Sequence, residues 1–314
     1  MKENDTWTLD GHTFSSRFIL GSGKFSLPLI EAAIKGAGAE MVTLALRRVN
    51  TGGKANIMDY ISKSVTVLPN TSGARNADEA VRIARLSREI CHTPFIKIEI
   101  MKDSRYLLPD NAETIKATET LAKEGFVVMP YMFPDLTAAR AMKDAGASCI
   151  MPLAAPIGSN KGLVNKEWIN ILLDEIDLPI IVDAGIGKPS EACAAMEMGV
   201  TAIMANTAIA TSGNLVQMAE AFRLAIEAGR TAYLAAWPRP SKRGRPLESL
   251  DGIFAGRRLG GDDHDRRKDQ PHHCDGRSQK DPCLLYQGPH DLRARHGPAA
   301  IHHAGRCGAP HERI

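Results

Sequence analysis

A (β/α)8 barrel, the TIM-barrel class of α/β fold, is what this sequence predicts, on two observations. From about Phe18 to Gly229 short β-rich runs alternate with helical stretches, the order that builds parallel strands. Eight such runs fall within about 210 residues, which suits eight strands with eight crossovers. An open doubly wound sheet is the alternative reading of the same alternation.

Taken in order, the first element is the segment from Trp7 to Phe14, where Asp10-Gly11 sits between alternating apolar and polar residues. That pattern reads as an N-terminal β-hairpin, which in a barrel plugs the bottom. The strand candidates follow as Phe18–Gly21, Glu40–Leu46, Thr66–Pro69, Phe95–Met101, Phe126–Pro130, Ser148–Pro152, Pro179–Asp183 and Thr201–Ala205. Between them, Ala77–Cys91, Asn111–Glu124, Asp135–Asp144, Pro189–Met198 and Gly213–Glu227 carry helical apolar spacing and often end near Gly. Small Ala-Gly-Ala-like closers at Gly36–Glu40, Ala145–Ala147 and Met198–Val200 return the chain to the sheet.

The domain reading is a catalytic barrel over residues 1–238 and a separate extension over 239–314. Beyond Trp237 apolar periodicity collapses into Arg, Asp, His, Gly and Pro. Eight of the ten histidines lie there with Cys274, Cys283 and Cys307, but their spacing fits no compact zinc template. No metal is expected; the composition reads as a disordered extension, and its abrupt onset also suits translation in a shifted frame.

The remaining cysteines, Cys91, Cys149 and Cys193, form no CxxC pair and read as small buried hydrophobes in a reducing cytoplasm. There is no signal peptide at the start and no apolar run long enough for a bilayer, so no membrane is expected. The net charge of +3 is small, and the basic run Lys242–Arg245 lies in the extension. Nucleic acid is not an expected partner.

Chemistry enters at Phe95–Met101, where side chains at i and i+2 share a face. Lys97 and Glu99 therefore point one way, while Ile96, Ile98 and Ile100 point into apolar packing. Burying an unpaired amine is costly. An interior lysine is thus either a paired structural ion or an amine that attacks a carbonyl.

In this fold chemistry sits at the C-terminal ends of the strands. After the seventh run comes Asp183 with Ala184, Gly185 and Gly187, feeding a helix that starts near Pro189. Such a loop offers backbone N–H groups to an anion. After the eighth come Asn206 and Thr207, and after the sixth Gly158 and Ser159. Loops after strands seven and eight are the usual phosphate site of a barrel, so a phosphorylated ligand is expected.

These residues also carry a resemblance. Ala45-Leu-Arg-Arg48, Leu68 to Gly73, Ile96-Lys-Ile-Glu99, Leu108-Pro-Asp110, Met151-Pro-Leu153 with Pro156-Ile-Gly-Ser159, Val182 to Gly187 and Asn206 to Ala210 resemble the bacterial thiazole synthase family over roughly residues 7–236. The resemblance implies an enzyme that condenses 1-deoxy-D-xylulose 5-phosphate, dehydroglycine (2-iminoacetate) and sulfur. The sulfur arrives as the thiocarboxylate of a small ubiquitin-like sulfur-carrier protein, and the product is the thiazole phosphate of thiamine. It further implies a Schiff base on Lys97, acid/base work by Glu99 and Asp183, and sugar-phosphate contacts at Gly158, Ala184, Gly185, Asn206 and Thr207. No cofactor is expected, the protonated imine serving as the electron sink, and the resemblance implies a homotetramer.

Lys97 must be neutral to attack. Residues two apart on a strand lie about 7 Å from each other. At an effective dielectric of about 20 an ionised Glu99 would then hold the ammonium by about 2.4 kcal/mol, or about two pKa units. Desolvation lowers a lysine by as much as about 3–5 units, so burial wins only in a dry site or with Glu99 protonated. Ala154-Ala155 replaces a Gly-Ser pair common in the family, so looser binding by that loop is expected; only Arg245–Leu250 faintly resembles the family's closing peptide, so reduced activity is expected if that peptide covers the site. Arg47 and Arg48 suit an acidic partner tail or substrate, and equally a salt bridge at the mouth. A different Schiff-base enzyme on the same barrel, such as an aldolase, and a phospho-ligand-binding module without catalysis are the competing functions.

Overall fold

The computed structural model describes residues 5–21, 26–46, 61–103 and 105–236. Expectations about Arg47 and Arg48, and about the extension from residue 239 with its histidines and cysteines, lie outside the described residues.

The chain opens with a two-stranded antiparallel hairpin, β1 (Trp7–Leu9) and β2 (His12–Phe14). Asp10 and Gly11 both have positive φ, 45° and 79°, as the tight Asp-Gly hairpin turn demands. The parallel strands are β3 (Phe18–Leu20), β4 (Met41–Ala45), β5 (Thr66–Asn70), β6 (Phe95–Ile98), β7 (Val127–Met132), β8 (Met151–Pro152), β9 (Ile181–Val182) and β10 (Ala202–Ala205). They run in the order β8-β7-β6-β5-β4-β3-β10-β9. Bridges Ile150↔Ile180 and Leu153↔Asp183 join the two ends, so the sheet closes into a (β/α)8 barrel rather than an open sheet.

Helices α1 (Leu27–Lys35), α2 (Ala77–Cys91), α3 (Asn111–Lys123), α4 (Leu136–Asp144), α5 (Lys166–Glu175), α6 (Pro189–Met198), the short α7 (Thr207–Ala210) and α8 (Leu215–Leu234) follow the strands. Ser26, Asn76, Asp110, Asp135 and Asn214 each cap a helix by accepting a backbone N–H, which satisfies a donor that the first turn leaves orphaned. Helix α8 runs past the expected stop at Glu227 because Gly229 acts as a packing residue. A Cβ there would meet Cys193 O of α6 at 2.3 Å, so the two helices approach more closely than any side chain allows.

Two apolar layers hold the barrel. Inside it, Ile19, Met41, Leu68, Met129, Met151, Ile181 and Met204 pack on Trp7, Leu9 and Phe14 of the hairpin, which closes the bottom as expected. Outside, Ile96, Ile98 and Ile100 pack with Ala80, Ala84 and Leu121 of α2 and α3. Below the barrel, Arg17 and Arg230 both bind the carboxylate of Asp5, at 2.7 and 2.8 Å. This clamp ties the start of the chain to its last described helix. No described helix is long and apolar enough to cross a membrane.

Candidate active site

The regular β6 ladder stops at Ile98, three residues short of the expected strand end. Thr71, which follows β5, supplies the missing partners: its hydroxyl accepts from the Glu99 N–H at 2.8 Å and donates to the Glu99 carbonyl at 3.0 Å. Pairing returns as the single bridge Ala74↔Ile100. Glu99 is thereby fixed beside Lys97 while alternation continues, with both side chains inside the barrel and the isoleucines outside.

Lys97, Glu99 and Asp183 are brought together. Lys97 is 3% exposed, Glu99 7% and Asp183 6%. The ammonium Nζ donates to Glu99 Oε1 at 2.6 Å and lies 2.7 Å from Asp183 Oδ2. The second contact is an ion pair only, because Oδ2 accepts no well-directed hydrogen bond among the described residues. Long side chains have closed the spacing of about 7 Å that backbone geometry sets, and a second carboxylate from across the barrel has joined.

The second carboxylate adds to the attraction that opposes a neutral amine. Burial is the largest influence on Lys97 and would lower it, but attraction from Asp183 and Glu99 together raises it above the ordinary lysine range. Burial also pushes the Asp183 carboxyl up, against the pull of Lys97. Pairing at this range favours the charged ammonium, and burial favours the protonated form of Asp183. The barrel sets two carboxylates against burial of the amine where reading along the strand weighed one.

Lys97, Glu99 and Asp183 line one cavity of about 400 Å³ at the C-terminal ends of the strands, together with Gly158, Ala184, Gly185, Asn206 and Thr207. Ser159 and Gly187, also expected there, are not among its lining residues. Ala184 and Gly185 have φ of 63° and 83°, a tight bend at the mouth of β9, and the Ala184 N–H bonds the Asp183 carboxylate. Gly187 and Lys188, however, donate their N–H groups to Glu191 at 2.8 and 3.1 Å. Those two N–H groups at the start of α6 are therefore taken by the protein's own carboxylate. Asn206 Oδ1 and Ser159 Oγ are buried without a described partner, and of the two only Asn206 lines the cavity. Ala154 and Ala155 lie fully buried; Ala155 packs so close that a Cβ on Gly185 would sit 2.5 Å from its own Cβ.

Residue reasoning missed three groups here. Thr43 and Asn70 line the cavity, and Asn70 pairs with Lys97 across β5 and β6. Tyr131 lies beneath it, its ring centroid 5.1 Å from Lys97 Nζ. The available signal was a polar side chain within an apolar β run, which singled out Lys97 but was not applied to these.

The family model described as "Thiazole biosynthesis protein ThiG" matches residues 8–247. Thiazole synthase of Fusobacterium nucleatum is 66% identical over 253 residues, covering 80% of this chain and 98% of that protein. Thiazole synthase of Clostridium beijerinckii is 67% identical over 247 residues, covering 79% and 96%. Among solved structures, the Amycolatopsis orientalis BexX/CysO complex aligns with a TM-score of 0.67 at 30% identity, over 76% of this chain and 98% of that one.

Proposed function

The chain belongs to the thiazole synthase (ThiG) family of thiamine biosynthesis, and from that premise we propose that Lys97 carries the sugar phosphate as a Schiff base between Glu99 and Asp183. The observation that carries this reading is one cavity lined by a buried amine, two carboxylates, the positive-φ Ala184-Gly185 loop and the polar Asn206 and Thr207. Such a cavity holds a phosphorylated ketose by its phosphate and presents its carbonyl to the amine.

In the first step Nζ passes a proton to Asp183 and attacks C2 of 1-deoxy-D-xylulose 5-phosphate. The carbinolamine takes that proton back and loses water to leave a protonated imine. Glu99 or Asp183 then removes the C3 proton, and the iminium accepts the electron pair. Reprotonation places a carbonyl at C3, open to the thiocarboxylate sulfur. The sulfur adds to C3, and the C3 oxygen passes to the carrier's acyl group, so that the carrier leaves as its carboxylate. Condensation with dehydroglycine, whose nitrogen displaces the Lys97 amine from C2, closes the ring with loss of water. The phosphate is held by Gly158, Ala184, Gly185, Asn206 and Thr207, with residues 1–238 as the catalytic domain.

The sulfur source in this reading is a small sulfur-carrier protein that docks at the barrel mouth. The BexX/CysO neighbour, solved as a complex of two proteins, supports a protein partner on this fold. A homotetramer is the proposed assembly; exposed Val164, Trp168 and Ile171 around α5 support burial of that helix face between copies. Incubation with the sugar phosphate, a thiocarboxylate carrier and dehydroglycine, read by mass spectrometry, is expected to yield thiazole phosphate. Cleavage of the sugar phosphate without sulfur incorporation would instead support an aldolase.

A further inference from the structure

Tyr131 is the buried polar group that the reaction above leaves unused. It stands on β7, where Lys97↔Met129 and Ile98↔Pro130 are paired, so the register sets it beside Glu99. Alternation turns it inward with Met129, which packs inside the barrel. The residue is 0% exposed, and its hydroxyl has no hydrogen-bond partner among the described residues. Its ring centroid lies 5.1 Å from Lys97 Nζ.

A buried hydroxyl without a partner destabilises a protein, whereas phenylalanine fills the same volume without that cost. The group therefore needs a state in which it is used, and counting donors identifies one. The ammonium of Lys97 has three N–H bonds, enough for Glu99 Oε1 and Asp183 Oδ2 together. Condensation with a ketone moves two of those hydrogens into the departing water and leaves a protonated imine with a single N–H. Both carboxylates remain charged and buried, and a single N–H cannot serve both. Asp183 Oδ2 is the more weakly held, with no well-directed hydrogen bond even at rest.

We infer that Tyr131 is a positioning residue for this chemistry: its ring face supports Nζ, and its hydroxyl donates to the carboxylate that imine formation strips of its partner, with Asp183 the first candidate. The hydroxyl stabilises the iminium state relative to the resting ammonium. It also separates the two carboxylates, because the one that accepts from Tyr131 becomes the weaker base and the other is left to move the C3 proton. This inference rests on the Schiff-base reading above.

The test is borohydride trapping of Lys97 with 1-deoxy-D-xylulose 5-phosphate, comparing the wild type with Tyr131→Phe and with Tyr131→His, which keeps a ring and an N–H donor. In Tyr131→Phe the saturating trapping rate is expected to fall about 10- to 100-fold, the worth of one hydrogen bond to a charged group. The half-saturating concentration should stay fixed and the melting temperature hold or rise, while Tyr131→His recovers part of the rate. Wild-type rates in both variants would overturn the inference, and so would equal losses in both, which would indicate packing alone. Failure of Tyr131→Phe to fold would also overturn it, because the hydroxyl would then have a resting partner. Absence of any adduct in the wild type would refute the Schiff base itself, a result distinct from all of these.

Discussion

Replacing Glu99 by Gln removes one of two charges that hold Lys97 protonated, at nearly constant volume. For a pair 2.6 Å apart, Coulomb's law at an effective dielectric of about 20 gives about 6 kcal/mol as an upper bound. Opposite charges at such range shift a pKa by about 1–3 units in practice. Asp183 still lies 2.7 Å from Nζ, so the amine falls towards the ordinary lysine range without reaching the value that burial alone would set. The assay is the rate of borohydride trapping against pH, with intact mass as readout. The titratable groups around Nζ are Glu99, Asp183 and Tyr131. In Glu99→Gln the rising limb should move about 1–3 units to lower pH, since a lower amine pKa frees the nucleophile earlier. Its height reports separately on proton transfer: thiazole formation that collapses while trapping accelerates would make Glu99 the base at C3. A limb that stays in place, or moves to higher pH, would refute the electrostatic account.

Lys97→Met should destabilise the fold by about 3–5 kcal/mol at neutral pH, because it leaves two buried carboxylates without a cation. Urea denaturation should show the deficit shrinking towards pH 4 as those carboxylates protonate. Gly185→Ala forces a Cβ to within 2.6 Å of Ala155 N at φ +83°, a strained conformation worth roughly 1–3 kcal/mol; both melting temperature and calorimetric affinity for the sugar phosphate should drop. The hydrogen bond from Arg230, aided by Arg17, brings the Asp5 carboxyl from 3.8 down to about 2. A depressed carboxyl adds stability that is present above its unfolded value and is lost as pH falls through the folded one, at most about 2 kcal/mol here. Thermal melts between pH 5 and 2 should therefore fall more steeply for the wild type than for Asp5→Asn.

Local rules carried the barrel a long way. Period-two alternation placed Lys97 and Glu99 on one face, and Asp10-Gly11 announced its turn. Strand ends were less legible because a twisted barrel pairs only part of each run: Pro179–Asp183 reduces to Ile181–Val182, flanked by single bridges at Ile180 and Asp183. The end of α8 was misplaced because glycine reads as a stop, whereas Gly229 serves the contact with α6. In the site, the amine and its neighbouring carboxylate are local and were visible. That Asp183 would lie 2.7 Å from Nζ depends on a meeting across the barrel, which spacing along the chain does not encode; the family resemblance supplied it. Tyr131 and Asn70 stayed hidden for the same reason, since their inward position follows from strand register.

The most direct test of the central claim is borohydride reduction in the presence of 1-deoxy-D-xylulose 5-phosphate, followed by intact mass and peptide mapping. The account predicts one covalent sugar-phosphate adduct per chain, on the peptide bearing Lys97, and none in Lys97→Ala. An adduct on another lysine, or no adduct from folded protein with the ligand demonstrably bound, would contradict it.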